Sequence, residues 1–269
     1  MTAGDVRGAS DAPLSHDSTD GLRGPTYAAP ALEKGLDILE MLSSVSQPMG
    51  LSDISQAMGR SKSEIFRMLH VLERRHYIQR ANDSDLYTLT NRLFLLGMER
   101  PPLKSLLEIA LPEMHEISFE AQQSCHLVVP SEEFMVVIAR VDPPGDFGLV
   151  VRIGHRRPIL EGTSGLVLTA FQPEPVRRRW IEEYGAELTA TSRGELEKDL
   201  ENIADKGYAA KKSSVVSGIV DISVPVVSND AAVATLAVPY LRRSGIRISE
   251  RETADMLIKT AAAISSKLP

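Results

Sequence analysis

The most regular hydrophobic pattern in the chain lies between Leu51 and Leu72, where two short amphipathic segments flank a turn. In each segment apolar residues recur at the three- and four-residue spacing of a helix. Gly59 stands where a helix end favours a left-handed residue, and Ser61 with Glu64 predicts an N-cap with a capping box. Two helices joined by so short a turn predict a helix-turn-helix. The apolar positions are Leu51, Ile54, Ala57 and Met58, then Ile65, Met68, Leu69 and Leu72.

The outer face of the second helix is polar and basic, and between Arg60 and Arg80 basic residues outnumber acidic ones. Such a local cationic surface is typical of proteins that contact DNA phosphates. We expect this helix to enter the major groove, with other polar side chains positioning the DNA backbone. An ordinary helical hairpin with solvated charges, or a winged helix used only for protein contacts, remains an alternative. The predicted DNA-contacting residues are Ser52, Ser61, Lys62, Ser63, Glu64, Phe66, Arg67, His70 and Arg80.

A β-hairpin is predicted directly after these helices. Residues 77–80 and 86–89 have the composition of two short strands, and the Asn/Asp/Ser cluster between them is typical of a turn. A helix-turn-helix followed by a hairpin is a winged helix. Because Asp83 and Asp85 make the wing tip acidic, we expect Arg80 at its base, rather than the tip, to contact DNA.

Composition shifts divide the chain into four predicted regions. Residues 1–28 lack apolar periodicity and predict a disordered tail. We predict a DNA-binding domain at 29–90, beginning with a helix from Ala31 to about Ser44, and a linker helix at 91–104, with a stiff break at Pro101–Pro102. The remainder, 105–269, is predicted to form a second domain.

The second domain alternates between helical and strand-like patterns and predicts an α+β fold, an antiparallel sheet with helices packed on it. Ser249 and Glu252 predict a capping box for the last helix. Predicted helices cover 103–121, 164–171, 174–184, 193–206 and a final segment from Ser249; predicted strands cover 125–129, 135–141, 149–153, 219–227 and 232–238, the last two joined by a turn at 228–230.

Composition narrows the possible partners. The chain has 269 residues, a net charge of −6 and a pI of about 5.6, so nucleic acid would be bound by a local patch and not by the whole surface. No apolar run approaches the ~20 residues needed to span a bilayer, and the N-terminus does not resemble a secretion signal. The single cysteine, Cys125, excludes an internal disulfide and suits a reducing compartment. We therefore expect a cytoplasmic protein without a membrane partner.

Candidate catalytic or metal-binding residues are few. Cys125 and His126 are adjacent on a predicted strand and therefore point to opposite faces, so they cannot both line one site with His155. No metal-binding spacing or nucleophile motif is present. Arg152, Arg156 and Arg157 beside Glu161 could pair with it, line a pocket mouth or be solvated. We predict no catalytic residue, metal or cofactor.

Three stretches of the second half, together with the winged helix, resemble the IclR family of bacterial transcriptional regulators. The most specific signals are an R-x-G-x-x-x-P turn, Arg152 to Pro158, and a K-G-Y after a helix, Lys206 to Tyr208. The stretches are VRIGHRRPILEGTSGLVLTA from Val151, IADKGYAAKKSSVVSG from Ile203 and ISVPVVSNDAAVATLAV from Ile222.

This resemblance implies a winged helix-turn-helix joined to a GAF-like effector-binding domain. It further implies a homodimer or dimer of dimers on a palindromic operator in double-stranded DNA, with DNA affinity altered by a small organic, sugar or aromatic acid. We expect a regulator of a catabolic operon, more readily a repressor than an activator. The alternative is a small-molecule enzyme of GAF-like fold with an accessory winged helix.

The effector site is where the chain departs from the family pattern. Relatives carry H-A-T-A-L-G-K-A after the proline, whereas here Thr163, Ser164 and Gly165 offer amides at a predicted helix start, a favourable anion site. Lys211 and Lys212 replace acidic residues, Asp221 replaces a common cysteine, and Ala237 and Pro239 replace two serines. These departures predict a ligand with more apolar surface than glyoxylate, or an acid held by Lys211. Alternatively, both lysines are solvated. The predicted effector-binding residues are His126, Leu149, Thr163, Ser164, Gly165, Lys211, Asp221, Ala237 and Pro239.

Overall fold

The computed structural model describes residues 29–45, 47–81, 84–99, 101–145, 148–243 and 248–268. The chain divides into two compact units, with the boundary between Leu95 and Leu96. The predicted tail, residues 1–28, and the wing residue Asp83 lie outside the described residues.

The N-terminal unit packs three helices against a small antiparallel sheet of strand order β1-β3-β2. The two-residue strand β1, which the sequence did not predict, joins the wing through the Met49–Tyr87 pairing. A fourth helix, α4, follows the wing. The elements are α1 Pro30–Ser44, β1 Met49–Gly50, α2 Leu51–Ala57, α3 Lys62–Arg74, β2 Ile78–Arg80, β3 Leu86–Leu89 and α4 Arg92–Met98.

The predicted inner stripes of α2 and α3 form the core of this unit. Ile54, Ile65 and Leu69 are fully buried and pack with Ile38 of α1 and Tyr87 of β3. Burying aliphatic side chains of this size contributes roughly 1.5–3 kcal/mol each. The core therefore holds the two helices with the opposite face of α3 turned outward.

The turn between α2 and α3 is built as predicted, but the cap is not. Gly59 takes a positive φ of 60°, the left-handed conformation that glycine adopts without steric cost. Ser61 is the N-cap residue of α3, yet its side chain makes no capping bond. The predicted capping box is wrong because the Glu64 carboxylate accepts a hydrogen bond from the Lys34 ammonium on α1. A charge-assisted bond of this kind is stronger than one to a neutral amide.

The C-terminal unit is built on a six-stranded antiparallel sheet of order β6-β5-β4-β9-β8-β7. The α+β architecture expected from the sequence is thus confirmed. Its elements are α5 Pro101–Ala121, β4 Cys125–Ser131, β5 Phe134–Val141, β6 Arg156–Pro158, α6 Thr163–Ala170, α7 Glu174–Tyr184, α8 Ala190–Lys206, β7 Ala209–Lys212, β8 Ile219–Ser228, β9 Ala231–Leu241 and α9 Glu250–Lys267.

Strand alternation gives this sheet two differently covered faces. Cys125 and Leu127 point to one face, where α5 and α9 close the main hydrophobic core. His126 points to the other face, which α6 covers in part, with α7 and α8 packed outside α6 through Ile181 and Leu200. The incomplete cover on the second face leaves room for a cavity.

Several element ends have the caps and turns that their local sequence predicts. Ser249 and Glu252 form the predicted capping box of α9, and Gly207, with a φ of 81°, ends α8 in the left-handed conformation. Asn229 and Asp230 both have positive φ in the two-residue turn between β8 and β9. This geometry matches the right-handed twist of paired strands.

The predicted strand at 149–153 is wrong, and the short strands β6 and β7 were missed. In place of strand pairing, the Leu149 carbonyl accepts a hydrogen bond from Ser124 and the Val151 amide donates to His126. The apolar alternation of this segment reflects a cavity wall and not a sheet. Strands β6 (Arg-Arg-Pro) and β7 (Ala-Ala-Lys-Lys) lack the β-branched and aromatic residues that mark strands.

The predicted linker, 91–104, falls on α4 and the start of α5. Helix α5 begins at Pro101, because a proline in the first turn needs no amide hydrogen and has a helical φ. Within the described ranges, the molecule has no helix with both the length and the apolar character needed to traverse a bilayer.

Candidate functional sites

Helix α3 presents an exposed, largely polar face opposite its buried stripe. Phe66 is 48% exposed and its ring stacks on His70, with centroids 6.5 Å apart and an interplanar angle of 17°. Lys62, Ser63 and Arg67 are also exposed, and the N-cap residue Ser61 lies beside them at the surface. The predicted recognition face is therefore continuous along the first half of the helix, the part that HTH proteins place against base edges.

A shallow concavity of about 570 Å³ lies between α3 and the start of α2. Ser52 is exposed in the first turn of α2, where its hydroxyl and the helix amides suit a phosphate oxygen. The concavity therefore combines cationic and polar groups with the Phe66 ring. It is lined by Leu51, Lys62, Ser63, Phe66 and Arg67.

Glu64 departs from the predicted outward position. Its side chain is 28% exposed and pairs with Lys34, whose side chain is 18% exposed. This ion pair, with help from Arg60 and Arg67, lowers the pKa of Glu64, so the carboxylate stays charged. The structure therefore places Glu64 as a brace between α1 and α3.

Arg80 also has partners within the protein. Its guanidinium donates to Glu73 at 3.2 Å and to Asp85 at 2.7 Å, and it lies 5.6 Å from the centre of the Tyr87 ring. The side chain remains 44% exposed at the base of the wing. A phosphate approaching Arg80 would compete with two carboxylates, so we expect Arg80 to bind a phosphate more weakly than an unpaired arginine would.

In the C-terminal unit a cavity of about 380 Å³ lies between the sheet and the first turn of α6. This volume is within the range of small-molecule sites, and its walls combine many apolar side chains with a few polar ones. It is lined by His126, Val128, Met135, Val137, Leu149, Val150, Val151, Arg152, His155, Arg157, Gly162, Thr163, Ser164, Ser213, Val215, Val216, Asp221, Ser223, Ala237, Val238 and Pro239.

All the predicted effector-binding residues except Gly165 and Lys211 line this cavity. Gly165 lies behind it, where a Cβ atom would come within 2.0 Å of the Ile159 carbonyl oxygen. The glycine therefore allows α6 to approach the chain that precedes it. The Lys211 ammonium pairs with Asp199 of α8, so the predicted role of Lys211 in holding an acid is not supported by its position.

His126 lies in the cavity wall with a defined hydrogen-bonding state. Its side chain is buried, and Nε2 accepts a hydrogen bond from the Val151 amide at 3.0 Å. Burial lowers the pKa of His126 to about 4, although a hydrogen bond between the imidazole and the backbone of Ala237 opposes the shift. His126 is thus neutral at pH 7.

Cys125, the neighbour of His126, is on the opposite face of the sheet and fully buried in the main core. Burial raises the pKa of its thiol to about 12. As a neutral core thiol it is unsuited to nucleophilic or metal-binding roles.

Charged groups converge on the cavity from three elements. Arg152 lies in the loop after residue 148, Arg157 on β6 and Asp221 on β8. Burial raises the pKa of Asp221, while Ser213 and Arg157 oppose the shift. The two arginines, with the amides at the start of α6, give the cavity an anion-binding character.

The structure adds cavity residues that sequence reasoning did not single out. Ser223 shares a face of β8 with Asp221, and its hydroxyl lies 2.8 Å from that of Ser164. Val215 and Val216 line the mouth and are 68% and 38% exposed. The two-residue alternation of β8 could have identified Ser223; the valines lie in a loop without a periodic signal.

A winged helix-turn-helix unit followed by a separate α+β unit with a ligand-sized cavity defines a two-domain transcriptional regulator. Comparison with known proteins identifies the family within this class. Residues 31–81 match the IclR helix-turn-helix domain, and residues 103–266 match the bacterial transcriptional regulator IclR C-terminal domain. The chain therefore belongs to the IclR family of transcriptional regulators.

Individual relatives are distant but cover most of the chain. The chain is similar to the HTH-type transcriptional regulator KdgR of Escherichia coli K12, with 29% identity across 82% of this chain and 86% of KdgR. The glycerol operon regulatory protein of Streptomyces coelicolor is 28% identical across 73% of this chain and 78% of its own length.

The fold is also that of solved structures. One is an IclR homologue from Microbacterium hydrocarbonoxydans in complex with 4-hydroxybenzoate, with a TM-score of 0.74 and 22% identity. The similarity covers 88% of this chain and 98% of that one.

Proposed function

We propose that this protein is a repressor of a catabolic operon whose affinity for a palindromic operator is altered by an organic acid bound in the cavity beside α6. The observation that carries this proposal is the coexistence of an exposed recognition face in one unit and an arginine-bearing cavity in the other. Repression requires only occupancy of the operator, whereas activation requires a further surface for the polymerase. The Streptomyces glycerol operon regulatory protein supports the catabolic role.

On the DNA side, Lys62, Ser63 and Arg67 would contact base edges and phosphates. All three are exposed on the first half of α3, around the concavity next to α2. Phe66 can contact a thymine methyl group in the major groove. Ser52 and His70 would then position the sugar-phosphate backbone.

Exposed apolar side chains on the N-terminal unit support a homodimer, or a dimer of such dimers. Leu32 and Leu36 of α1 are 63% and 49% exposed, and Phe94 of α4 is 62% exposed. Exposed apolar side chains one helical turn apart are typical of a surface that packs against a second chain. Pairing two recognition helices would match a palindromic operator and raise the affinity that one half-site provides.

On the effector side, the cavity suits a small carboxylate. Arg157 and Arg152 supply positive charge, and the first amides of α6, at Thr163 and Ser164, lie at the positive end of the helix. A protein of this fold has been solved with 4-hydroxybenzoate, which supports aromatic acids as one class to test. The acid would change operator affinity by its differential affinity for two states, typically ~1–3 kcal/mol of coupling.

The test measures operator binding and acid binding by the same protein. Fluorescence anisotropy with fragments of the upstream region, at fixed salt, is recorded with and without aromatic, sugar and short keto acids. We expect salt-sensitive binding that at least one acid changes by about fivefold or more. DNA binding that no acid alters, together with no thermal shift by any acid, would contradict the proposal.

Two variants, one at an arginine and one at a lysine, test where the acid binds. Arg157→Ala should weaken acid binding by about tenfold or more, because a charged hydrogen bond contributes roughly 1.5–3 kcal/mol. Lys211→Ala is the matched control: its ammonium pairs with Asp199 outside the cavity, so acid affinity should stay within about twofold. The reverse order of effects would restore Lys211 as the acid-binding residue.

A further inference from the structure

On the basis of the proposed function, we propose that Asp221 makes the cavity selective for a monoanionic acid that also carries a hydrogen-bond donor, such as a hydroxyl or amino group. Plain apolar acids and dicarboxylates would bind more weakly. The inference names the effector chemistry and identifies Asp221 as the residue that determines it.

The position of Asp221 leaves its carboxylate available to a ligand. It lines the cavity on the same face of β8 as Ser223, and its partner on β9 is the apolar Pro239. On the other side it is paired in register with Lys211, whose ammonium instead bonds to Asp199 of α8. The lysine opposite Asp221 is therefore engaged elsewhere.

The charges around the cavity favour a single negative charge on the ligand. Of the described residues, the titratable side chains in the lining are His126, Arg152, His155, Arg157 and Asp221. Burial lowers the pKa of both histidines, so they are neutral at pH 7. The charged side chains of the lining are therefore two arginines and one aspartate, and one ligand carboxylate neutralises the excess positive charge. Glu161, 4.0 Å from Arg157, is exposed and screened by solvent.

A second ligand carboxylate would lie in the same small volume as Asp221. Like charges at close range repel, and solvent screening is reduced where groups are partly buried. The cavity of about 380 Å³ gives a dicarboxylate little room to keep its second charge away from Asp221. The expected result is discrimination against dianions.

The donor requirement follows from the hydrogen-bonding capacity of Asp221. A carboxylate has about four acceptor positions, and Ser213 supplies one donor in the structure. A bound ligand displaces water from the remaining positions, and a buried carboxylate without replacement donors is destabilised. A ligand hydroxyl or amine replaces that water, whereas an apolar ligand atom does not.

The remaining walls define the body of the ligand. Val128 and Val137 of the sheet are almost fully buried, and Val151 faces them from the loop. These branched side chains accept a ring or a short alkyl chain between the carboxylate and the donor group. The ligand class is therefore a hydroxy or amino acid with an apolar middle.

The experiment uses two matched ligand series with the full-length protein. The aromatic series is benzoate, 4-hydroxybenzoate and terephthalate; the aliphatic series is hexanoate, 6-hydroxyhexanoate and adipate. Isothermal titration gives each dissociation constant at pH 7.5. In at least one series we expect the hydroxy acid to bind about tenfold more tightly than its parent, and the dicarboxylate to bind most weakly.

Variants at Asp221 assign the preference to this residue. Asp221→Asn keeps the acceptor and removes the charge, so dicarboxylate affinity should rise about tenfold; Asp221→Val should abolish the preference for the hydroxy acid. Asp230→Asn, the same exchange at an exposed turn, should change neither. Thermal melting confirms that each variant is folded.

The possible outcomes separate failure of this inference from failure of the proposed function. A wild-type preference for dicarboxylates would overturn the inference, as would a hydroxyl preference that survives in Asp221→Val. If no acid binds in either series or in the wider acid screen, the proposed function itself fails. Acid binding without the stated preferences would contradict only the role of Asp221.

Discussion

The Nε2 atom of His126 accepts a hydrogen bond from the amide of Val151 at 3.0 Å. This bond ties strand β4 to the loop that replaces the predicted strand at 149–153. It requires an unprotonated Nε2, so protonating the imidazole removes both the acceptor and the link. The loop carrying Val151 and Arg152 is thereby coupled to the charge of one buried side chain.

We predict that the C-terminal unit loses stability as pH falls below about 6.5. The pKa of His126 is about 4 in the folded protein and 6.5 when unperturbed, so protons bind first to the unfolded state. The loss should reach about 2 kcal/mol at pH 5 and about 3 kcal/mol near pH 4. Urea unfolding of wild type and His126→Gln at pH 7 and pH 5 measures it.

The control for this pH effect is His115→Gln, at an exposed position on α5. In His115→Gln the free energy of unfolding should depend on pH as it does in the wild type. In His126→Gln the loss of stability caused by protonating His126 should be absent. Equal pH slopes for all three proteins would show that His126 does not cause the loss.

Gly165→Ala should destabilise the C-terminal unit and weaken acid binding. The added Cβ would lie 2.0 Å from the Ile159 carbonyl oxygen, which is backbone and cannot rotate away, so α6 must shift. Overpacking of this kind costs roughly 1–3 kcal/mol. Gly194→Ala is the matched control, since its added Cβ on helix α8 meets no atom within 4 Å beyond the neighbouring helix backbone, and it should stabilise by up to about 1 kcal/mol. Thermal melting compares the two.

The ion pair between Lys34 and Glu64 should affect DNA binding through α3. In Lys34→Met the Glu64 carboxylate loses its partner on the helix that we propose to face DNA phosphates, and operator affinity should fall severalfold. Adding Glu64→Gln should restore most of the loss. Fluorescence anisotropy at fixed salt, with two operator variants, measures the DNA affinity of the wild type, both single variants and the double variant. If Glu64→Gln alone changes the base preference, Glu64 contacts a base instead.

Arg67→Ala should weaken operator binding by roughly 1–3 kcal/mol if the guanidinium makes a bidentate base contact. The matched control is Arg178→Ala on α7, whose side chain is 67% exposed and pairs with Glu174 in the other unit. The control should bind DNA as wild type does. Equal affinities for both variants would remove Arg67 from the interface.

Patterns local in sequence predicted a large part of the fold. The helical spacing of Ile65 and Leu69 indicated which face of α3 is buried, and Gly59 marked the turn before it. The turn at Asn229–Asp230 likewise located the longest strand pair. In each of these cases the preference of a few neighbouring residues agrees with the final packing.

Contacts between distant segments could not be predicted in this way. Lys34 and Glu64 are thirty residues apart, and nothing in either helix pattern shows that they meet. The departure from the family pattern predicted that Lys211 either holds an acid or is solvated, but its ammonium pairs with Asp199. Side-chain pairing depends on how helices pack on a sheet, which periodicity leaves open.

In the cavity, too, local patterns were predictable from the sequence and contacts between distant segments were not. Alternation along β4 and β8 places His126 and Asp221 on one face, and the resemblance to the family predicted both as effector-binding residues. Leu149 to Val151 looked like a strand because apolar residues facing a cavity repeat as they do in a sheet. The hydrogen bonds to Ser124 and His126 distinguish the two cases.

The complete burial of the sole cysteine has a practical consequence for measuring how this protein moves. A thiol that is inaccessible and holds its proton reacts slowly with maleimides, so a cysteine introduced at exposed Gln79 of the wing would be labelled selectively without first replacing Cys125. In the proposed homodimer, spin labels or fluorophores at that position in both chains would report how the distance between the two DNA-binding domains changes as an acid is added.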